Sequence, residues 1–333
     1  MAQLALRHRM EHLLADVRPE WVRPSSIHLS VTWKCNLNCL HCDIPVTGQR
    51  ERPLLTQEQI CEYLIQLKEW LGPYQFNIAG GEPFIRSDML DIIEFATRKG
   101  IKVNLTTNGM LLDEEKARRL ERSGINSLNI SLDSLTPEIH DRTRNHPGCH
   151  SRVMAVIERL NRPRDYCLVL STIVMGPNLQ ELVPLADWVE SRGLNGIIYQ
   201  PLFSTFGRPY RPDWWRGNEL FPKDLAEVDR VLDALIAGRR DGSATVNGVE
   251  QLEAMRFHFH NPAAAALPRC RVDVKNFSIN EYGEALLCFW LPPVGNILEQ
   301  RPEEVWRSVL AHQRRQEIRD CKRNCSLLNC HFS

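Results

Sequence analysis

Between residues 27 and about 240, short apolar runs rich in β-branched residues take turns with stretches whose apolar positions recur every three or four residues. The runs IHLSVTW (27–33), YQFNIAG (74–80), KVNLTTN (102–108), SLNISLD (127–133), CLVLSTIV (167–174) and GIIYQPLF (196–203) predict strands. Ile60, Leu64, Leu67 and Leu71 follow the helical period, and Thr56 with Gln59 forms a capping box ahead of them. Asn178 with Glu181 offers the same signature before Leu182, Leu185 and Val189, and Leu225, Val228, Leu232 and Leu235 continue the period.

Six strand–helix repeats predict a parallel α/β sheet with crossover helices, either open or curled into part of a barrel. In both cases the loops at the carboxyl ends of the strands carry the site. After about residue 240 the alternation stops. Gly-Ser, Asn-Pro and Pro-Pro breaks and a hairpin around Asn280–Gly283 predict a small second unit. The expected organisation is an N-terminal helical extension (1–24), the strand–helix body (25–240) and a C-terminal unit (241–333).

Composition adds little. With 41 basic and 41 acidic side chains, the zero formal charge gives no support to nucleic-acid or membrane-surface binding. No run approaches the ~20 apolar residues that span a bilayer, and the amphipathic start lacks the unbroken apolar stretch of a signal peptide. A cytoplasmic location is expected. Eleven cysteines are many for that compartment, where disulfides seldom persist. Cys61 and Cys167 sit in apolar patterns and are expected as buried thiols, whereas the other clustering points to metal chemistry.

Cys35, Cys39 and Cys42 follow the first strand with spacing x3 then x2. One loop can wrap three thiolates around a cluster of four irons and leave one iron open. A closed zinc site is the alternative, but it needs a fourth protein ligand. At this point the sequence resembles the radical S-adenosylmethionine superfamily. The C-x3-C-x2-C motif ends strand one, Gly80-Gly81-Glu82-Pro83 ends strand two, Thr106-Thr107-Asn108-Gly109 strand three, and Ser131-Leu132-Asp133-Ser134 strand four.

The resemblance implies a partial (β/α)6 TIM-like barrel. It also implies a 4Fe–4S cluster on Cys35, Cys39 and Cys42 that cleaves S-adenosylmethionine to a 5′-deoxyadenosyl radical, which takes a hydrogen atom from substrate. It would place Glu82 with the Gly80 and Gly81 carbonyls on the cofactor's ammonium, and Ser131 and Asp133 on its ribose. Thr107 and Asn108 would line the same pocket and His41 would lie near adenine. Flavodoxin or ferredoxin would be the electron donor.

Five cysteines lie between Cys270 and Cys330, and the portion Cys270-x12-Gly283-x4-Cys288 resembles the SPASM/Twitch extension. That likeness implies an auxiliary 4Fe–4S cluster on Cys270, Cys288 and two of Cys321, Cys325 and Cys330; the tail's C-x3-C-x4-C spacing departs from the full SPASM pattern. Tyr199 and Gln200, at the end of strand six, are the candidate residues facing the radical. The aromatic segment 200–216 is a candidate lid or interface clasp, and Cys149 a loop thiol able to return a hydrogen atom. The expected reaction oxidises, crosslinks or epimerises a peptide or a small metabolite. A non-catalytic iron–sulfur or zinc scaffold is the contrasting reading.

Overall fold

The computed structural model describes residues 17–44, 52–204, 210–264, 270–323 and 325. Most of the expected N-terminal extension, and Cys330, lie outside them. Six strands, β1 (Ser26–Ser30), β2 (Gln75–Ala79), β3 (Lys102–Thr107), β4 (Ser127–Ser131), β5 (Cys167–Val174) and β6 (Gly196–Pro201), alternate with helices. The helices of this body are α1 (Gln57–Leu71), α2 (Met89–Arg98), α3 (Glu114–Arg122), α4 (Pro137–Arg144), α5 (Cys149–Leu160), α6 (Leu182–Ser191) and α7 (Leu225–Arg240). The later segment adds α8 (Val249–His260), α9 (Val272–Lys275), β7 (Asn276–Ile279), β8 (Glu284–Leu286), β9 (Gly295–Asn296), α10 (Pro302–Arg307) and α11 (Val309–Arg319).

Strands β1 to β6 pair in sequence order and all parallel, the arrangement of a partial TIM-like barrel. β7 pairs parallel to β1, and β8 and β9 follow antiparallel, so the later segment continues the same sheet on the side of β1. The β7–β8 turn falls on Asn280–Gly283. Asn280 Oδ1 accepts from the Tyr282 and Glu284 amides, and Gly283 takes a φ of 83° that a side chain would resist.

Side chains alternate across a strand. One face of the sheet is apolar and fully buried under the helices: Ile27, Leu29, Phe76, Ile78, Val103, Leu105, Leu128, Ile130, Leu168 and Leu170. The other face is half-buried and rich in uncharged hydrogen-bonding groups. Its in-register His28, Asn77 and Asn104 are typical, and a side-chain chain runs from Asn126 to Asn104 (2.8 Å) to Asn77 (3.0 Å) to the Ile27 carbonyl (3.1 Å). A packed barrel would fill this face with branched apolar residues.

The Thr56–Gln59 capping box forms in both directions. Asn178 behaves differently from expectation. Its amide donates to the Asp133 and Ile173 carbonyls and its Oδ1 accepts from Met175, because residues 176–181 form a 3-10 turn ahead of α6. No helix among the described residues is long and apolar enough to cross a membrane.

Candidate active site

Cys35, Cys39 and Cys42 stand on the loop after β1 and line a cavity of about 150 Å³ together with His41, Gly80, Gly81, Thr107, Asn108, Ser131 and Arg144. The strand ends thus bring together most of the residues singled out in the sequence. Burial raises all three thiols, Cys42 to about 11, so the bare protein holds them protonated at neutral pH. Asn108 Nδ2 lies 3.8 Å from Cys35 Sγ and donates to Asn36 Oδ1 at 2.9 Å, fixing the start of the loop. The Leu40 amide donates to the Thr143 carbonyl at 3.0 Å and ties its far end to α4.

The two glycines also have a packing role. A Cβ on Gly80 would come within 2.5 Å of the Thr32 carbonyl, and one on Gly81 within 2.1 Å of the Lys34 carbonyl. Their lack of side chains lets the turn dock on the strand leading into Cys35, where Gly81 and Glu82 amides donate to Thr32 and Lys34. Both glycines also line the cavity.

Three of the singled-out side chains are engaged within the protein itself. Glu82 is fully buried, and its carboxylate accepts from Thr107 Oγ1 (2.7 Å), the Asn108 amide (2.8 Å) and the Phe84 amide (3.1 Å). It braces the ends of β2 and β3, while burial pushes its carboxyl up despite those donors. Asp133 is also fully buried, contacting Arg144 Nε at 2.8 Å and accepting from Thr143 Oγ1 and the Ile173 amide. Burial alone would raise it, but Arg144 and two nearby histidines hold it below the ordinary range. Tyr199 points away from the inner face: its buried hydroxyl donates to the Leu182 carbonyl of α6 at 2.7 Å. Strand parity sends its neighbour Gln200 the other way, into a chamber of about 180 Å³ also lined by His41, Cys42, Ile173, Phe203 and Ser204.

Arg144 is the residue the sequence reading missed. Among the described residues it is the one cation on the wall of the three-thiol cavity, buried and facing Cys39. The signal was a helix whose inward stripe, His140, Thr143 and Arg144, is polar where apolar residues would be expected. Cys149 likewise proves to be a buried thiol, 3.5 Å from His140 Nε2, whereas Cys167 is exposed, not buried.

His140 and His258 are fully enclosed, and burial lowers both to about 4. His140 Nδ1 accepts the Asp133 amide at 3.1 Å, a bond that protonation there would break. Unfolded histidine binds its proton near 6.5, so between that pH and about 4 the unfolded chain holds more protons and stability falls as pH drops. Urea melts of the metal-free protein should show a loss of about 2 kcal/mol per buried histidine between pH 7 and pH 5. Equal midpoints at the two values would contradict it.

A second cavity, of about 440 Å³, is lined by Cys270, Cys288, Cys321 and Cys325 with Tyr210, Phe289, Trp290 and Arg323. Burial raises Cys270 to about 12 and also raises Cys288. None of the described cysteines forms a disulfide. The thiols ring the walls of two cavities, an arrangement that suits a multi-atom cluster. The buried His41 Nδ1 has no partner among the described residues and borders both the three-thiol cavity and the Gln200 chamber. These features fit a cluster with a polar cofactor in the first cavity and a cluster in the second.

Residues 29–189 match the Radical SAM superfamily model. The chain is 25% identical to the AdoMet-dependent heme synthase of Methanosarcina barkeri, over 91% of this chain and 88% of that protein. It is 31% identical to the mycofactocin maturase MftC of Mycolicibacterium smegmatis, over 63% of this chain and 54% of that one. In fold it is similar to Streptococcus suis SuiB bound to S-adenosylmethionine, with a TM-score of 0.71 at 16% identity, covering 93% of this chain and 72% of SuiB. The chain therefore carries a Radical SAM superfamily domain over residues 29–189, the enzyme type that cleaves S-adenosylmethionine at a 4Fe–4S cluster.

Proposed function

We propose that the protein is a radical oxidoreductase that removes hydrogen from a C–H bond of a peptide held against the three-thiol cavity. The observation that carries this reading is the Gln200 chamber, which shares His41, Cys42 and Ile44 with that cavity and so adjoins the place where a radical would arise. The half-buried inner face, with its amide and hydroxyl groups and few charges, suits the neutral polar groups of a peptide backbone. SuiB, solved with its precursor peptide SuiA, shares the fold.

When bound, the cluster and S-adenosylmethionine supply one-electron reductive cleavage that yields the 5′-deoxyadenosyl radical. Cys35, Cys39 and Cys42 would hold the cluster. The Gly80 and Gly81 carbonyls would accept from the cofactor's ammonium, Arg144 would pair with its carboxylate, Ser131 would meet the ribose and His41 would lie beside the adenine. Gln200 would orient substrate. Cys270, Cys288, Cys321 and Cys325 would hold the second cluster. Cytoplasmic flavodoxin or ferredoxin would deliver the electron.

A heme precursor is the second substrate reading, favoured by the match along 88% of the heme synthase. Anaerobically reconstituted protein should form 5′-deoxyadenosine with dithionite, and the correct substrate class, peptide or heme precursor, should pass deuterium from its own C–H position into that product. Gln200→Leu should keep cleavage without substrate and lower deuterium transfer at least tenfold. Absence of 5′-deoxyadenosine in every arm would sink the reading.

A further inference from the structure

We propose that Arg323 is the latch of the four-thiol cavity: stacked against Tyr210 and Trp290, it holds Cys321 and Cys325 facing Cys270 and Cys288. The guanidinium carbon lies 5.4 Å from the Tyr210 ring centre and 5.6 Å from that of Trp290, within cation–π reach of both. The two rings meet edge to face at 5.9 Å, and Phe203 closes the group, stacked on Tyr210 at 6.4 Å and 6.2 Å from Trp290. Phe203 also forms a wall of the Gln200 chamber, so one aromatic cluster separates that chamber from the four thiols.

The backbone gives the latch a chemical consequence. The Arg323 amide donates to Cys321 Sγ at 3.5 Å, and the Trp290 amide donates to Cys288 Sγ at 3.4 Å. Stacking one residue on the other therefore couples two N–H···S bonds on the wall of one cavity. Amide donors and a nearby cation both stabilise a more negative thiolate-bound centre, which raises its reduction potential. The inference about potential rests on the proposal that this cavity holds a cluster; the inference about Cys321 and Cys325 does not.

Two measurements on the full-length protein separate these. In the metal-free protein, alkylation of Cys325, which is 8% exposed, should become about fivefold faster in Arg323→Met, the factor that losing ~1 kcal/mol of cation–π contact gives. In the reconstituted protein, the second cluster should show a more negative midpoint in Arg323→Met, recovering in Arg323→Lys, which keeps the charge. Alkylation at the wild-type rate in Arg323→Met overturns the latch, and an unmoved midpoint overturns its electrostatic role. If wild type binds only about four irons, the cluster proposal fails while the alkylation rate still decides the latch.

Discussion

Replacing Cys35, Cys39 and Cys42 together with alanine should remove about half of the iron and abolish 5′-deoxyadenosine formation, while the second cavity stays loaded. These three are the thiols on the wall of the first cavity, and the other groups there are amides, hydroxyls, a histidine held neutral by burial and the cation Arg144. Among the described residues no carboxylate lines that wall, and Glu82 and Asp133 close by are engaged by donors of their own. The converse variant, with Cys270, Cys288, Cys321 and Cys325 replaced, should lose the other half of the iron and keep cleavage. Iron analysis and chromatography of the cleaved cofactor read both. Retained cleavage in the first variant would overturn the ligand assignment. Because burial raises the three thiols, they give up protons on loading, so reconstitution should proceed faster as pH rises above neutrality.

Much of this arrangement was legible in the chain itself. The six strands appear within a few residues of their apolar runs because period-two burial writes itself directly into sequence, and the Asn280–Gly283 turn was marked by its turn chemistry. Side-chain roles at the strand ends were harder to read. Ser131 and Asp133 share a face of the chain, yet only Ser131 reaches the cavity, since Asp133 is captured by Arg144 and Thr143 from a helix that begins several residues later. Glu82 is taken up by β3 in the same way. Such captures depend on three-dimensional partners that no local spacing announces.

The Tyr199–Gln200 pair is a different case. Adjacent strand residues cannot both face the inside, so parity alone could have separated them: Ile197, paired with the buried Leu170 of β5, sets the phase, and Tyr199 follows it two residues on. Spacing did not single out Cys321 and Cys325, which stand on the wall with Cys270 and Cys288; Cys330 lies outside the described residues.

Gly81→Ala should unload the first cluster as thoroughly as losing a cysteine. The new methyl would sit 2.1 Å from the Lys34 carbonyl oxygen and 2.7 Å from its carbon, distances that no rotamer change relieves because both atoms are backbone. Either the Gly80–Glu82 turn must lift, breaking the Gly81–Thr32 and Glu82–Lys34 bonds, or residues 32–34 must move and carry Cys35 with them. Each route separates the cysteine loop from the rest of the cavity wall. The expected loss of stability is about 3 kcal/mol or more, in the range of severe core overpacking. Gly193→Ala is the control: its φ of 64° is similarly unfavourable to a side chain, but an added methyl there meets nothing within 4 Å. It should cost only about 1–2 kcal/mol of backbone strain and leave iron content intact. Thermal melts with iron analysis on both variants distinguish contact from conformation. Full iron loading and cleavage in Gly81→Ala would mean that the close docking of the two loops does not hold the cluster ligands in place.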